Sequence, residues 1–446
     1  MFGCNEVFII CLWKLQDAAT FIRRHSINSS VSMSLMEFGR LPSGVRTNPT
    51  QFQVHVPDQK LRDFKQLLRL SPVAVATFEN SQSVGRRYGI QREWLVNAKD
   101  YWLNKFDWRA EEERINSLPN FKMSVNGFND KNDELEIHFI ALFSQNVDAI
   151  PLVMYHGWPG SFLEFLPILE ILTSRYTPTS LPYHVVVPSL PGYAFSSGPP
   201  HGKDFTLVDA SLALDKLMSN LGFSEGYISQ GGDLGQSIAR YQAAFCDGCQ
   251  GMHINYCPIL RPKNADDLPL LKIEKEALPR IQWFREVGSA YAVEHGTRTA
   301  TIGHALSASP LALLSWIAEK FLDWSDEDPS LDVILADVML YWFTDTFPRC
   351  LYPYRDMEGD QEEPRIAKAS GRGDIRAYVS KPSGYSFFPK ELMPMPISWV
   401  ATSCNLVTAT THTSGGHFAA LEKPHELLAD IEEFVQKAWH PTNTSS

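Results

Sequence analysis

The run Tyr227-Ile228-Ser229-Gln230-Gly231-Gly232-Asp233-Leu234-Gly235 puts a carboxylate where an apolar strand should turn sharply into a helix. Tyr227 to Ser229 reads as the strand and Gln236 to Tyr241 as the helix, so Asp233 is expected to stand at the bend, the place of a nucleophilic serine in a strand-turn-helix elbow. A serine there must first lose a proton to a base, whereas a carboxylate attacks carbon directly. The resulting ester keeps its carbonyl on the protein, and water must release it by attacking Asp233 itself. Aspartate is also a common helix N-cap. A cap, however, has no need of the small residues at 231, 232 and 235, which a tight elbow requires for close backbone passage. The helix N-terminus also favours a negative charge at this point.

The second step needs a base. Of thirteen histidines, His417 alone lies on a glycine-rich loop, Ser414-Gly415-Gly416-His417-Phe418, after the last expected strand and before the final helix. His412 has no glycine turn to present it and reads as a surface histidine. The acid that orients the base should follow a strand and lie between nucleophile and histidine in chain order. Glu391 meets both conditions, and no acidic residue separates it from His417. The alternative is a solvated glutamate beside Lys390. His156-Gly157-Trp158-Pro159-Gly160 follows another apolar strand. Its turn chemistry suits an oxyanion hole in which the Trp158 and Leu234 amides face the charge on an ester intermediate.

Two motifs read as decoys. Gly222-Phe223-Ser224-Glu225-Gly226 has the spacing of a serine elbow, but Ser224 follows a helix and precedes a strand, the reverse of what an elbow needs, so it is expected at a helix C-terminal turn. Cys246 and Cys249 have redox spacing without the strand-before-helix setting or a second ligand pair, and are expected to be small loop residues.

The elements around these residues alternate. Short apolar runs at Ile150–Tyr155, His184–Val187, Tyr227–Ser229, Met252–Tyr256, Tyr385–Phe388 and Leu406–Ala409 suit buried parallel strands, and Leu135 to Ala141 alternates like a half-buried one. Leu214, Leu217, Met218 and Leu221, and later Leu427, Leu428, Ile431, Phe434 and Val435, recur at helical spacing. Strands alternating with helices imply a doubly wound α/β sheet. Between Pro258 and Lys381 strand signals stop and helical faces take over (Leu311, Leu314, Ile317, Phe321; Val333, Ile334, Val338, Tyr341), as in a helical cap inserted over a site. Met357 to Gly373 reads as a loop or linker. Phe52, Val54 and Val56 alternate like a strand, with a helix expected from Leu61 and an aromatic helical stretch up to Ser117.

With 446 residues the chain exceeds a single domain of about 100–200 residues. A hydrophobic share of 44% and a charged share of 20% are those of a globular protein. The net charge of −11 argues against nucleic acid or anionic membrane as main partner. Seven scattered cysteines fit a reducing compartment rather than a disulfide framework. The apolar run Val7–Trp13 is far short of the ~20 residues that cross a bilayer. Cytoplasm is therefore the favoured location, with membrane association through the leader as the alternative.

Taken together, the motifs His156–Phe162, Pro188-Ser189-Leu190-Pro191-Gly192-Tyr193, Gln230-Gly231-Gly232-Asp233 and Gly415–Glu422 resemble those of epoxide hydrolases of the microsomal-like branch, above all the soluble fungal enzymes. The resemblance runs from Phe52 to about Trp439. It implies an α/β-hydrolase fold with a mostly parallel sheet, a helical cap and an N-terminal wrapping segment. Residues 1–50, which lie outside the match and show no periodicity, are expected to be a disordered leader; with the patterns above, the chain then divides into an N-terminal epoxide-hydrolase segment (51–145), the first part of the core (146–257), cap and linker (258–381) and the second part of the core (382–446). The resemblance also implies two cap tyrosines that donate to the epoxide oxygen. The motif Ala290–His295 maps the first onto Tyr291, and Phe347-Pro348-Arg349 with Tyr354-Arg355 maps the second onto Tyr354, with Tyr352 the weaker candidate. A phenol of pKa about 10 can donate without ionising at neutral pH. The expected substrate is a small hydrophobic epoxide with water as co-reactant, no metal or organic cofactor is called for, and a homodimer is compatible with the reading.

Overall fold

The computed structural model describes residues 37–129, 133–357 and 377–439. A nine-stranded sheet runs through the described chain in the order β1-β2-β3-β5-β4-β6-β7-β8-β9. The strands are β1 (Thr50–Gln51), β2 (Asn120–Asn126), β3 (Glu134–Leu142), β4 (Ile150–Tyr155), β5 (Tyr183–Pro188), β6 (Tyr227–Gly231), β7 (Cys249–Ile254), β8 (Val379–Phe387) and β9 (Cys404–Thr411). From β5 to β9 all neighbours are parallel, and β1, β2 and β3 extend one edge antiparallel. β4, β5 and β6 are buried along nearly their whole length because helices cover both faces, which is why β4 and Val185–Val187 of β5 are apolar runs, while β6 ends in the buried polar pair Ser229 and Gln230.

Several expectations change at the amino-terminal end. The alternation at Phe52, Val54 and Val56 does not make a strand. The Val54 amide bonds to Asn116 Oδ1 at 2.8 Å and the Val56 amide to Glu112 Oε1 at 2.6 Å, so helix side chains replace a neighbouring strand while both valines stay buried. β2 was not anticipated, although its inward Phe121, Met123 and Val125 alternate with Ser124 and Asn126. The part of the leader from residue 37 to 49 is ordered against the core: Phe38 is buried and its carbonyl accepts from the Phe143 amide at 2.8 Å. Residues 1–36 and most of the linker Met357–Gly373 lie outside the described residues.

The cap comprises helices Lys272–Trp283, Ala290–Thr297, Thr299–Ser307, Pro310–Trp324, Leu331–Phe343 and Tyr352–Met357. Pro310–Trp324 starts on Ser309, whose side chain accepts from the Ala312 amide, with Pro310 at the first helical position. Its buried face of Leu314, Ile317 and Phe321 gains about 1.5–3 kcal/mol per side chain over exposure. The N-terminal segment grips this cap: Phe64 of helix Asp58–Leu70 meets Trp342 and Phe343, and Arg86 Nη1 donates to the Leu322 carbonyl. β8 begins at Val379, inside the stretch assigned to cap and linker. No single described helix is long and apolar enough to cross a membrane; one cap pair, bent by 117°, reaches the length and composition jointly.

Candidate active site

Asp233 is the first residue of helix Asp233–Phe245, directly after β6, and its φ of 43° lies in the left-handed region. For a non-glycine residue this costs about 1–3 kcal/mol and persists only where the surroundings impose it. They do so through backbone crowding. A Cβ on Gly235 would lie 2.2 Å from the Tyr155 carbonyl of β4, and one on Gly157 2.2 Å from Asp233 Oδ1. The elbow helix is thus pressed onto β4, and the turn after β4 onto the carboxylate.

That turn supplies the first contact: the Trp158 amide donates to Asp233 Oδ1 at 2.8 Å. Leu234 sits in the first helical turn, where amides lack intrahelical acceptors. His156 fixes the turn from behind, accepting at Nε2 from the Leu190 amide at 3.1 Å with Nδ1 3.1 Å from the Gly157 carbonyl. Burial lowers its pKa to about 4, so it serves as a neutral strut.

The other carboxylate oxygen, Oδ2, is 3.3 Å from His417 Nε2, and His417 Nδ1 is 2.5 Å from Glu391 Oε1. Burial opposes a charge on His417, yet Glu391 and Asp233 together outweigh it and raise the imidazole to about 10. Glu391 is fully buried, not solvated. Its Oε1 also accepts from the Leu392 amide at 2.5 Å, while Oε2 has no partner among the described residues. The histidine loop is stitched to the cap: the His417 amide donates to the Trp324 carbonyl at 2.9 Å, the Gly415 amide to Asp326 Oδ2 at 2.8 Å, and the Asp326 amide to Glu422 Oε2 at 2.7 Å. Arg280 spans both sides, donating to the Glu391 carbonyl at 2.8 Å and the Asp323 carbonyl at 2.9 Å.

Tyr291 stacks on the Trp158 indole with ring centres 4.8 Å apart, and Tyr354 meets Trp158 edge-on at 5.9 Å and Tyr291 at 5.7 Å. Burial, with Asp233 contributing, pushes both phenols well above their usual value, so both keep their protons. Tyr352 packs on Phe205 instead, and the carboxylate that acts on it most is Asp356. The structure thus gathers Asp233, His417, Glu391, Trp158, Leu234, Tyr291 and Tyr354, and leaves Tyr352 aside.

Glu164 was not foreseen. It is half-buried beside the site, and burial raises its carboxyl well above the usual range, which favours the protonated form. Its spacing from Ser161 is that of a capping box, a structural use that hides it in the sequence, and Ser161 does cap the following turn. The decoys take structural places. Ser224 closes the turn after Gly222 (φ 96°) and accepts from Arg46. His412 Nε2 is paired with Asp430 at 2.7 Å. Cys246 caps the elbow helix as expected of a loop residue, but Cys249 opens β7, a strand position; both are buried and unoxidised. Among the described residues no group of three or more His, Cys, Asp or Glu gathers as metal ligands do.

A parallel sheet with a helical cap, a carboxylate elbow and a His–Glu pair after the last strands defines an α/β-hydrolase. Residues 150–255 match the model of the alpha/beta hydrolase fold, and residues 49–165 match that described as epoxide hydrolase N terminus. A protein of Dothistroma septosporum is 48% identical over 90% of this chain and 92% of its own. Epoxide hydrolase 1 of Sus scrofa is 32% identical over 86% and 88%. The structure of Aspergillus niger epoxide hydrolase superposes with a TM-score of 0.82 at 47% identity, covering 90% of this chain and all of that one. The chain belongs to the epoxide hydrolase family, in its microsomal-like branch, and is an enzyme with epoxide hydrolase activity.

Proposed function

We propose that this enzyme opens small hydrophobic epoxides to vicinal diols through an ester on Asp233. Asp233 Oδ2 attacks an oxirane carbon, the C–O bond breaks toward the ring oxygen, and Tyr291 and Tyr354 donate hydrogen bonds to that oxygen as it becomes an alkoxide. Ester formation removes the Asp233 charge that helped to hold the His417 proton, so that proton passes by way of the phenols to the alkoxide and leaves a neutral imidazole. His417, oriented by Glu391, then takes a proton from water, whose oxygen attacks the Asp233 carboxyl carbon. The charge that develops on Oδ1 faces the Trp158 and Leu234 amides. Collapse expels the diol oxygen, which takes the proton of the re-formed carboxyl, and the imidazolium–carboxylate pair returns.

The observation that carries this reading is the division of labour at one carboxylate: Oδ1 on the Trp158 amide, Oδ2 beside His417. A single turnover in isotope-labelled water tests it, since the mechanism deposits label in Asp233. Changing Tyr291 and Tyr354 together to Phe is expected to slow ester formation by roughly 10²- to 10⁴-fold, the usual share of proton donation. Unchanged epoxide turnover in that double variant rules the reading out in favour of a leaving group that needs no acidic phenol, as in a dehalogenase.

On the same reading, 51–145 wraps the cap, 146–257 and 379–446 form the core, and 258–378 forms cap and linker. The five described cysteines, all free and buried, support a cytoplasmic location.

A further inference from the structure

We infer that the core side of Asp233 holds its own water, separate from the substrate side, and that Gln230 positions this water for attack on the ester. The inference rests on the ester mechanism proposed above.

A cavity of about 10 Å³ lies against Asp233, bordered by Glu164, Gln230, Asn255 and His417 among others, and every residue that lines it comes from the core, none from the cap. That is room for about one water. Tyr291 and Tyr354 belong to the cap, so an epoxide held between them and Asp233 approaches from the other side. Forming the ester therefore need not displace this water.

The polar lining suits a reacting water. Gln230, the residue three before the nucleophile, is fully buried at the end of β6. Its Nε2 donates to Asn255 Oδ1 at 3.1 Å, which commits the amide orientation, while its Oε1 has no partner among the described residues. A buried acceptor in that condition calls for a donor, and water is the donor the cavity admits. Glu164 borders the same cavity, and burial, which favours its protonated form, suits it to donate to the same water. With Gln230 Oε1 accepting one hydrogen and neutral His417 Nε2 the other, the water has three partners and turns its lone pair to the Asp233 carbon. The new bond is water oxygen to carboxyl carbon, the proton goes to His417, and the bond broken is that between carboxyl carbon and diol oxygen. Asp233 and His417 have other work in the reaction, and Gln230 is the residue this arrangement adds.

The test is Gln230→Met, which keeps an unbranched chain of similar length and removes the acceptor, assayed with styrene oxide by rapid mixing and intact-mass detection of alkylated protein. The expected result is alkylation within about twofold of the parent and ester hydrolysis slower by about tenfold or more, so that kcat and KM fall together and kcat/KM holds. Asn255→Ser, which frees the Gln230 amide to turn, is expected to show the same split and decides the matter if Gln230→Met does not fold. Unchanged hydrolysis, or a loss in alkylation equal to that in hydrolysis, overturns the inference. A parent enzyme that never carries the alkyl group overturns instead the ester mechanism on which it stands.

Discussion

Replacing Glu391 by glutamine separates charge from geometry at the base. Glu391 Oε1 accepts from His417 Nδ1 and the Leu392 amide, each at 2.5 Å, and Oε2 has no partner among the described residues. The glutamine oxygen can take the first position and its NH₂ the second, so the ring stays in place and the negative charge goes. Breaking a buried ion pair from one side costs about 3–5 kcal/mol. The imidazolium re-forms as water is deprotonated, so the cost falls on hydrolysis, and at about 1.4 kcal/mol per tenfold it slows that step by roughly 10²- to 10⁴-fold. Ester formation uses Asp233, the phenols and a proton that His417 gives up rather than gains, so it should change by less than about tenfold. Rapid mixing with mass detection should therefore show a long-lived alkyl-enzyme, with kcat and KM falling together. A kcat within about fivefold of the parent, or a lower kcat without alkylated protein, refutes the assignment of Glu391. Stability should respond as well. His417 is raised to about 10 from the usual 6.5, so its pairing stabilises the fold fully below the lower value and is lost as pH climbs through the upper one. In Glu391→Gln that loss should be smaller and complete at lower pH, which thermal unfolding across alkaline pH would show.

Two more outcomes follow from burial and crowding. Gly235→Ala places a Cβ 2.2 Å from the Tyr155 carbonyl and 2.7 Å from its carbon; strand backbone cannot yield, so chemical denaturation should show a loss on the order of 3 kcal/mol, and an unchanged midpoint would contradict the packing of elbow on β4. Asp337, which accepts from Ser161 Oγ at 2.6 Å, is raised by burial from 3.8 to about 8. The folded state then binds its proton more tightly than the unfolded one, so this group lowers stability as pH rises from about 4 to 8. Asp337→Asn should flatten that slope and stabilise the protein by on the order of 1–3 kcal/mol at the upper end, and a parallel pH profile of melting temperatures would count against it.

The elbow, the histidine loop and the parallel strands were legible because their signals are local: glycines at fixed offsets and short apolar runs. Glu391 was legible from chain order, yet its complete burial was not, since Lys390 beside it suggested solvent. The wrong strand at Phe52–Val56 shows why alternation alone misleads: Val54 and Val56 turn inward as in a strand, but Asn116 and Glu112, far along the chain, supply the hydrogen bonds. Glu164 was hidden by a spacing that caps helices. Tyr291 and Tyr354 were recognisable only through family likeness, because what distinguishes them from other buried aromatics is their meeting with Trp158, a contact between three distant segments. The same contact sets Tyr352 apart.

The stitching of Trp324, Asp326 and Arg280 to the histidine and glutamate loops bears on how such an enzyme can be re-engineered. A cap is an attractive module to exchange between relatives in order to alter substrate range. Here the roof also holds up the base: a transplanted cap that lacks the Trp324 carbonyl, the Asp326 side chain or the Arg280 guanidinium in register would bring a new pocket and loosen His417 at once. Crossover points for chimaeras should therefore leave Arg280 and residues 323–326 with the parent core, and draw diversity from the helices between them.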